Sequence, residues 1–274
     1  MVAKANINKT KHTQSKNNTH ALRAKGQYNM RLQSTNNGIK MGTNILDIEV
    51  PKYLEEKVQC GLDYADDIIG GEGYTPSAVT LFTGSPGAGK TTMLLCMADG
   101  FTKNGCNVLF NTAEESLYQT AMVTKRLGLR HGFHAGSSHQ MSEILAEAKK
   151  MRQAEPTKQL VLIVDSLQCI EDNDGSTSSR GQINALQDFT DFCKEHQAIG
   201  IMINQVGKSG NFTGSNKLKH MVDSHIHLSI EEKDEDFKGC RILECRKNRF
   251  GGSSSAVILK LGKYGFRTIA KMDF

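Results

Sequence analysis

The sequence predicts an α/β fold: a mostly parallel sheet with helices on both faces and a C-terminal antiparallel extension. Three observations lead there. Short β-branched runs alternate with helix-period segments between residues 79 and 204. The run 160–164, Leu-Val-Leu-Ile-Val, is apolar throughout, as in a strand covered on both faces. Beyond residue 225 the order changes to strand, turn, strand, turn, strand.

Residues 79–83 form the first strand and end at Gly84. A helix follows from Gly89, with Met93, Leu94, Met97 and Phe101 on one face. Residues 107–111 are a second strand, and the next helix is expected from about Glu115 to Gly128. Residues 142–153 read as a helix closed off by Pro156, and 159–165 as the fully buried strand. Ile183, Leu186, Phe189 and Cys193 mark another helix before a strand over 199–204. Strands at 226–230 and 241–246 flank the acidic turn 231–236, with a third at 256–261 and a short fourth at 266–270. There is no internal repeat.

At 274 residues, 38% hydrophobic and 23% charged, the chain is long enough to bury a core and reads as soluble and globular. No run of 18 uncharged apolar residues and no signal-peptide core occur, so neither a membrane span nor export is expected. Seven cysteines, none spaced as a zinc ribbon or redox pair, read as reduced thiols of a cytoplasmic protein. The net charge of +5 hides an asymmetry: residues 1–46 hold eight Lys or Arg and no acid, the remainder 26 cations against 29 acids. Residues 1–46 therefore read as a basic disordered tail that attracts a polyanion, and 47–274 as the folded domain. A transit peptide is the alternative for the tail; its having only two arginines, Arg23 and Arg31, and only scattered apolar residues counts against that.

The loop Gly84-Ser85-Pro86-Gly87-Ala88-Gly89-Lys90-Thr91, followed by Thr92, fits the phosphate-binding pattern G-x-x-x-x-G-K-[ST] between a strand and a helix. Its glycines allow backbone N–H groups to wrap a phosphate, and the helix N-terminus adds partial positive charge. Lys90 is expected on the β- and γ-phosphates of ATP, and the Thr91 hydroxyl on Mg2+. Asp165, at the carboxyl end of the buried strand, is expected to hold Mg2+ through water. Glu114, with Glu115 beside it, follows the second strand where a carboxylate can orient a water for attack on the γ-phosphate. Gln205, just past the strand ending at Asn204, is positioned to bond the γ-phosphate.

The order Gly84–Thr91, Glu114, Asp165-Ser166, Asn204-Gln205 resembles the RecA-like P-loop NTPase core. Leu218-Lys-His-Met-Val-Asp223 and Lys247-Asn-Arg-Phe-Gly251 resemble, more specifically, the bacterial RadA (Sms) family of DNA-repair ATPases, whose signature is Lys-Asn-Arg-Phe-Gly. Asn111-Thr-Ala-Glu-Glu-Ser116 is similar to that family's Ser-Gly-Glu-Glu-Ser, and the likeness runs from about residue 58 to 270. The family's zinc finger and Lon-protease-like domain find no counterpart, which reads as an isolated core of the kind a phage or other mobile element carries. Position 205 is Gln, as in RecA, where RadA proteins more often have His.

Lys247 and Arg249 are two apart in an extended segment and so leave one face. The resemblance implies that they reach the ATP of a neighbouring subunit in a ring, a hexamer, so that a monomer is nearly inactive. Residues 206–219 read as a mobile loop with Lys208, Phe212, Lys217 and Lys219, suited to tracking and stacking on single-stranded or branched DNA. Arg180 is the only cation of a second expected channel loop, where Glu171, Asp172 and Asp174 oppose phosphate unless they turn away. His225 and His227 share a face but Cys240 and Cys245 do not, so structural packing is expected there rather than a metal. The function expected is a DNA-dependent ATPase and motor in recombination or repair, possessing helicase or branch-migration activity and assisting a recombinase. A DnaB-type helicase core, a KaiC-like signalling ATPase and a non-motor mediator using ATP as an assembly switch remain alternatives.

Overall fold

The computed structural model describes residues 39–205, 216–252 and 255–273. The chain divides into two units, Met1–Ile48 and Glu49–Phe274. In the first unit, the described residues contain a single 3-10 turn, Ile45–Asp47, with the Asn44 side chain accepting from the Leu46 N–H. In the second, two short helices, α1 (Lys52–Glu55) and α2 (Asp63–Asp67), precede a nine-stranded sheet. The remaining elements are β1 (Val79–Gly84), α3 (Lys90–Lys103), β2 (Asn107–Thr112), α4 (Leu117–Leu127), β3 (His134–Gly136), α5 (Met141–Ala154), β4 (Leu160–Asp165), α6 (Ser179–Glu195) and β5 (Ile199–Gln205), then α7 (Asn216–Met221), β6 (Ser224–Ile230), β7 (Arg241–Asn248), β8 (Ser255–Gly262) and β9 (Gly265–Asp273).

The sheet order is β3-β2-β4-β5-β1-β6-β7-β8-β9. Strands β3 through β6 in this order are parallel, and β6 to β9 are joined antiparallel. The expected α/β class, with its antiparallel extension, is the observed one. Alternate residues of each strand feed two cores. Phe82, Phe110, Ile163 and Ile201 pack with α3 on one face; Leu81, Leu109, Leu162 and Met202 pack with α5 and α6 on the other. Among the described residues no helix is long and apolar enough to cross a membrane.

Three sequence expectations need correction. The helix expected from Glu115 starts at Leu117, because Ser116 caps it: its hydroxyl accepts from the Gln119 N–H while the Gln119 side chain accepts from the Ser116 N–H. Residues 217–219 belong to helix α7 rather than a mobile loop, since Leu218 and Val222 are buried in the second core. Cys240 precedes β7 and so shares no strand face with Cys245. The edge strand β3 was not expected.

His225 and His227 do serve packing. His225 Nε2 and His227 Nδ1 each lie 2.8 Å from the Thr83 hydroxyl, one residue before the glycine loop. With a single hydrogen to share, that hydroxyl donates to one ring and accepts from the other, or turns to the Ile226 carbonyl at 3.3 Å. No group of three or more potential metal ligands occurs among the described residues. Burial lowers both imidazoles, His225 to about 4 and His227 to about 3, with nearby cations adding to it. Folded pKa values below the unfolded 6.5 mean that this contribution to stability is complete above pH 6.5 and is lost as pH falls toward 4. Each histidine should steepen acid destabilisation by up to about 1.4 kcal/mol per pH unit. Replacing both with Gln should flatten the stability–pH curve below 6.5 in chemical denaturation; an unchanged slope would contradict burial as neutral rings.

Candidate nucleotide site

The parallel strands all end on one edge, and the glycine loop, Glu114, Asp165 and Gln205 gather there. The loop leaves β1 at Gly84 and enters α3 at Lys90, with Gly89 at φ 101°, a left-handed conformation that glycine tolerates. A Cβ at Gly89 would also lie 2.9 Å from the Phe266 ring, so the β8–β9 hairpin holds the start of α3. Lys90 Nζ donates to the carbonyl oxygens of Gly84 (3.0 Å) and Ser85 (3.1 Å), which folds the ammonium over the loop. Burial lowers its pKa, against the opposing pull of Asp165 and Glu114.

The Thr91 hydroxyl donates to Asp165 Oδ2 at 2.6 Å, joining residues 74 apart in sequence. Burial pushes the Asp165 carboxyl up to about 6; the Thr91 hydrogen bond resists, while Glu114 adds to the rise. A hydroxyl and a carboxylate converging beside a glycine loop are hard oxygen donors of the kind Mg2+ takes. The donor set fits that ion.

Glu114 is exposed just past β2, and two groups hold its Oε1: the Ser166 hydroxyl and Gln205 Nε2, the latter at 2.6 Å. Glu115 instead closes a local turn, its N–H donating to the Thr112 hydroxyl at 3.1 Å. Gln168 ties the end of β5 to this cluster, its Nε2 donating to Asn204 Oδ1 and to the Gln205 carbonyl (3.1 Å). Ser166 and Gln168 were missed as site residues by sequence reasoning. The Asp165-Ser166 pair stood in view, but only the fold brings it to Glu114.

Lys247 and Arg249 converge as their spacing implied, but at the other edge of the sheet. Lys247 pairs with His225 and so lies level with Leu81, and the Arg249 N–H donates to the Asp223 carbonyl, level with Val79. Lys247 Nζ donates to the carbonyls of Lys219 (2.8 Å) and Val222 (2.6 Å), and Arg249 to Asp223 Oδ1 (3.1 Å) and the His220 carbonyl (3.3 Å). Burial lowers the Lys247 ammonium, with Arg249 beside it adding to the effect. Five residue steps along the strand, about 17 Å, separate Val79 from Gly84. Neither cation meets its own glycine loop.

Of the residues expected on DNA, Lys208 and Phe212 lie outside the described residues. Lys217 is exposed and Lys219 half-buried on α7, and Arg180 is exposed in the first turn of α6. Asp172 turns inward, accepting from the N–H groups of Asp174 (3.0 Å) and Ser176 (2.9 Å) and from Asn184 Nδ2 (2.9 Å); the Asn184 bond leads in holding its carboxyl below the usual range.

No family model matches the chain. Among curated proteins it is 33% identical to the DNA repair protein RadA of Haemophilus influenzae over 224 residues, 81% of this chain and 45% of that protein. RadA of Aquifex aeolicus is 31% identical over 222 residues, 80% of this chain and 47% of that one. Over this stretch the chain is similar to RadA proteins. The chain spans about half the length of the curated relatives it matches. Solved structures share its fold. One is a DnaB-like replicative helicase (TM-score 0.68, 15% identity, 90% of this chain and 76% of that one). Another is a KaiC-like protein from Pyrococcus horikoshii (TM-score 0.62, 18% identity, 78% of this chain and 99% of that one). The fold is that of a RecA-like P-loop core.

Because Asp165 has a folded pKa above its ordinary 3.8, its favourable contribution is complete below pH 3.8 and is lost as pH rises through about 6. Asp165→Asn should therefore stabilise the protein in metal-free buffer at pH 8, by about 1–3 kcal/mol, and the gain should vanish near pH 4. Denaturant titration at the two pH values measures it; destabilisation at pH 8 would contradict the assigned burial cost.

Proposed function

We propose that the chain is an ATP-hydrolysing, DNA-binding core that acts in recombination or repair, with each active site completed by a neighbouring copy in a ring. The convergence of the glycine loop, Thr91–Asp165 and Glu114 on one sheet edge supports this reading most directly. In it, the backbone of Gly84, Ser85, Pro86, Gly87, Ala88 and Gly89 surrounds the phosphates, with Lys90, Thr91 and Thr92 at the helix start. Thr91 and Asp165 would hold Mg2+, which would supply charge neutralisation on the phosphates. Glu114 accepts a proton from the attacking water, and Lys90 offsets charge building toward the β-phosphate.

Gln205 is the sensing residue in this reading. Its amide nitrogen donates to Glu114, and the second hydrogen of the same nitrogen is the one proposed for the γ-phosphate, so one side chain would join the two. The residues that follow Gln205 are those proposed to meet DNA, which links DNA contact to the position of the base. Lys247 and Arg249 act on the neighbour's ATP, where an arginine in trans accelerates phosphoryl transfer by roughly 10³–10⁵. The basic residues 1–46 add affinity for the DNA backbone by counterion release. The likeness to a DnaB-like helicase supports a second reading, in which the same ring unwinds duplexes.

ATP turnover per subunit, measured with and without single-stranded DNA over a range of protein concentrations, tests the proposal. It should rise with both, and Lys90→Ala should abolish it. Glu114→Gln should retain nucleotide binding while slowing hydrolysis by about 10² or more. Greater damage from Glu115→Gln would move the base by one residue. Deleting residues 1–46 should flatten the salt dependence of DNA affinity, by about 0.7 in log–log slope per phosphate no longer neutralised on single strands. A monomeric, DNA-indifferent ATPase would contradict the ring.

A further inference from the structure

Strand β5 outruns one of its two neighbours. Its pairing with β4 stops at Val164–Met202, while its pairing with β1 continues to Gly84–Gln205. The end of β5 is therefore tied to the glycine loop on one flank and runs past the β4 ladder on the other. Gln168 takes the place of that ladder. Its Nε2 donates to the Gln205 carbonyl (3.1 Å) and to Asn204 Oδ1. A carbonyl only accepts, so the nitrogen end of the amide has to face Gln205. The cost falls on Gln168 Oε1, which is buried and accepts no hydrogen bond from the described residues. A methionine would fill the same space without an orphaned oxygen. What a glutamine adds at this position is its two donors.

The amide acts from a fixed base. Gln168 lies in the 3-10 turn Leu167–Cys169, and Leu167 and the following Ile170 are buried in the second core. The Glu171 N–H donates to the His139 carbonyl (2.7 Å) and the Met141 N–H to the Glu171 carbonyl (3.2 Å), which pins the exit of the turn to the start of α5. Two residues before Gln168, the Ser166 hydroxyl holds Glu114 Oε1, and Gln205 Nε2 holds the same oxygen from the side of β5. Ser166, Glu114, Gln205 and Gln168 thus close a circuit across the ends of β2, β4 and β5. Gln205 is its exposed member and the last residue of β5. It meets Glu114 through its side chain and Gln168 through its main chain, so any shift of the backbone there is felt at both.

We propose that Gln168 is a positioning residue through which DNA contact beyond Gln205 and nucleotide at Glu114 are coupled. This rests on the reading that Glu114 activates the water and that the residues after Gln205 meet DNA. It deepens that reading by naming the bond that joins the two. With Gln168 in place, the end of β5 has one docked position, in which the Gln205 amide faces Glu114. DNA on the residues that follow and a γ-phosphate at that amide then favour the same position. Without the Gln168 donors the end of β5 is held on the β1 flank alone, and each ligand binds without reporting to the other. Gln168 itself touches neither ligand. The coupling is reciprocal: the factor that ATP adds to DNA affinity is the factor that DNA adds to ATP affinity.

Titration of the full chain with a fluorescent oligothymidylate in Mg2+, with and without a non-hydrolysable ATP analogue, measures the coupling. The analogue should tighten DNA binding by about tenfold or more in the wild type. Gln168→Met keeps the length of the side chain and removes its donors. In it this factor should fall to about twofold or less, with affinity for the analogue alone kept within about threefold. In turnover at saturating DNA the same variant should lose about tenfold or more in kcat, with KM for ATP changed by less than about threefold. Gln168→Glu, ionised at pH 8 and equally without amide hydrogens, should behave alike. The wild-type factor retained in both variants overturns the inference and leaves the functional reading standing. Loss of affinity for the analogue itself in both variants makes Gln168 a structural residue and overturns the inference as well. A wild type that binds no DNA, or binds it equally with and without the analogue, removes the functional reading and the inference with it.

Discussion

The arrangement depends on one constraint: parallel strands share a direction, so whatever follows each of them emerges on the same edge. β1 delivers the glycine loop there, β2 delivers Glu114, β4 ends in Asp165 and β5 in Gln205. Four segments far apart in sequence thereby meet through Thr91–Asp165 and Gln205–Glu114. The single reversal from β6 to β7 carries the chain back to the other edge, and Lys247 and Arg249 arrive with it. In the proposed reading, both halves of a phosphoryl-transfer site sit in one chain, on edges that one molecule cannot bring together. Assembly is then a requirement of topology.

The nucleotide edge is also where the fold gives up stability. Lys90 and Asp165 are buried charges whose ionised forms are disfavoured by desolvation, and neither is fully compensated by its hydrogen bonds. Beneath them His225 and His227 are held neutral on Thr83, which supports the end of β1 without adding a charge under the loop. Such uncompensated burial is the ordinary signature of a site organised for a ligand that brings its own charges.

The fold was largely legible because its information is local. A glycine loop, β-branched runs and a fully apolar strand need only neighbouring residues to be read, and the loop residues and Asp165 followed from them. What escaped depends on distant partners. Strand β3 is three residues long with little burial, so it has no periodicity to detect and exists by pairing with Leu109, Phe110 and Asn111. Helix α7 hides its buried Leu218 among lysines that suggest a loop. Ser166 reaches Glu114 across 52 residues, and Asn248 reaches Ile69 across 179, which no spacing rule reports. The shared face of Lys247 and Arg249 was legible in their spacing, but the end of the sheet to which the fold carries them was not.

Mixing variants broken on opposite edges tests the split most directly. Lys90→Ala lacks the loop cation and Arg249→Ala lacks the cation of the other edge, so each alone should be nearly inactive. In a mixed assembly some interfaces pair an intact loop with an intact Arg249. Assayed at a concentration where assemblies form, with subunit exchange verified by fluorescence transfer, the mixture should recover a clear part of wild-type ATP turnover. Verified exchange with turnover no higher than the sum of the two variants would contradict a site shared between copies.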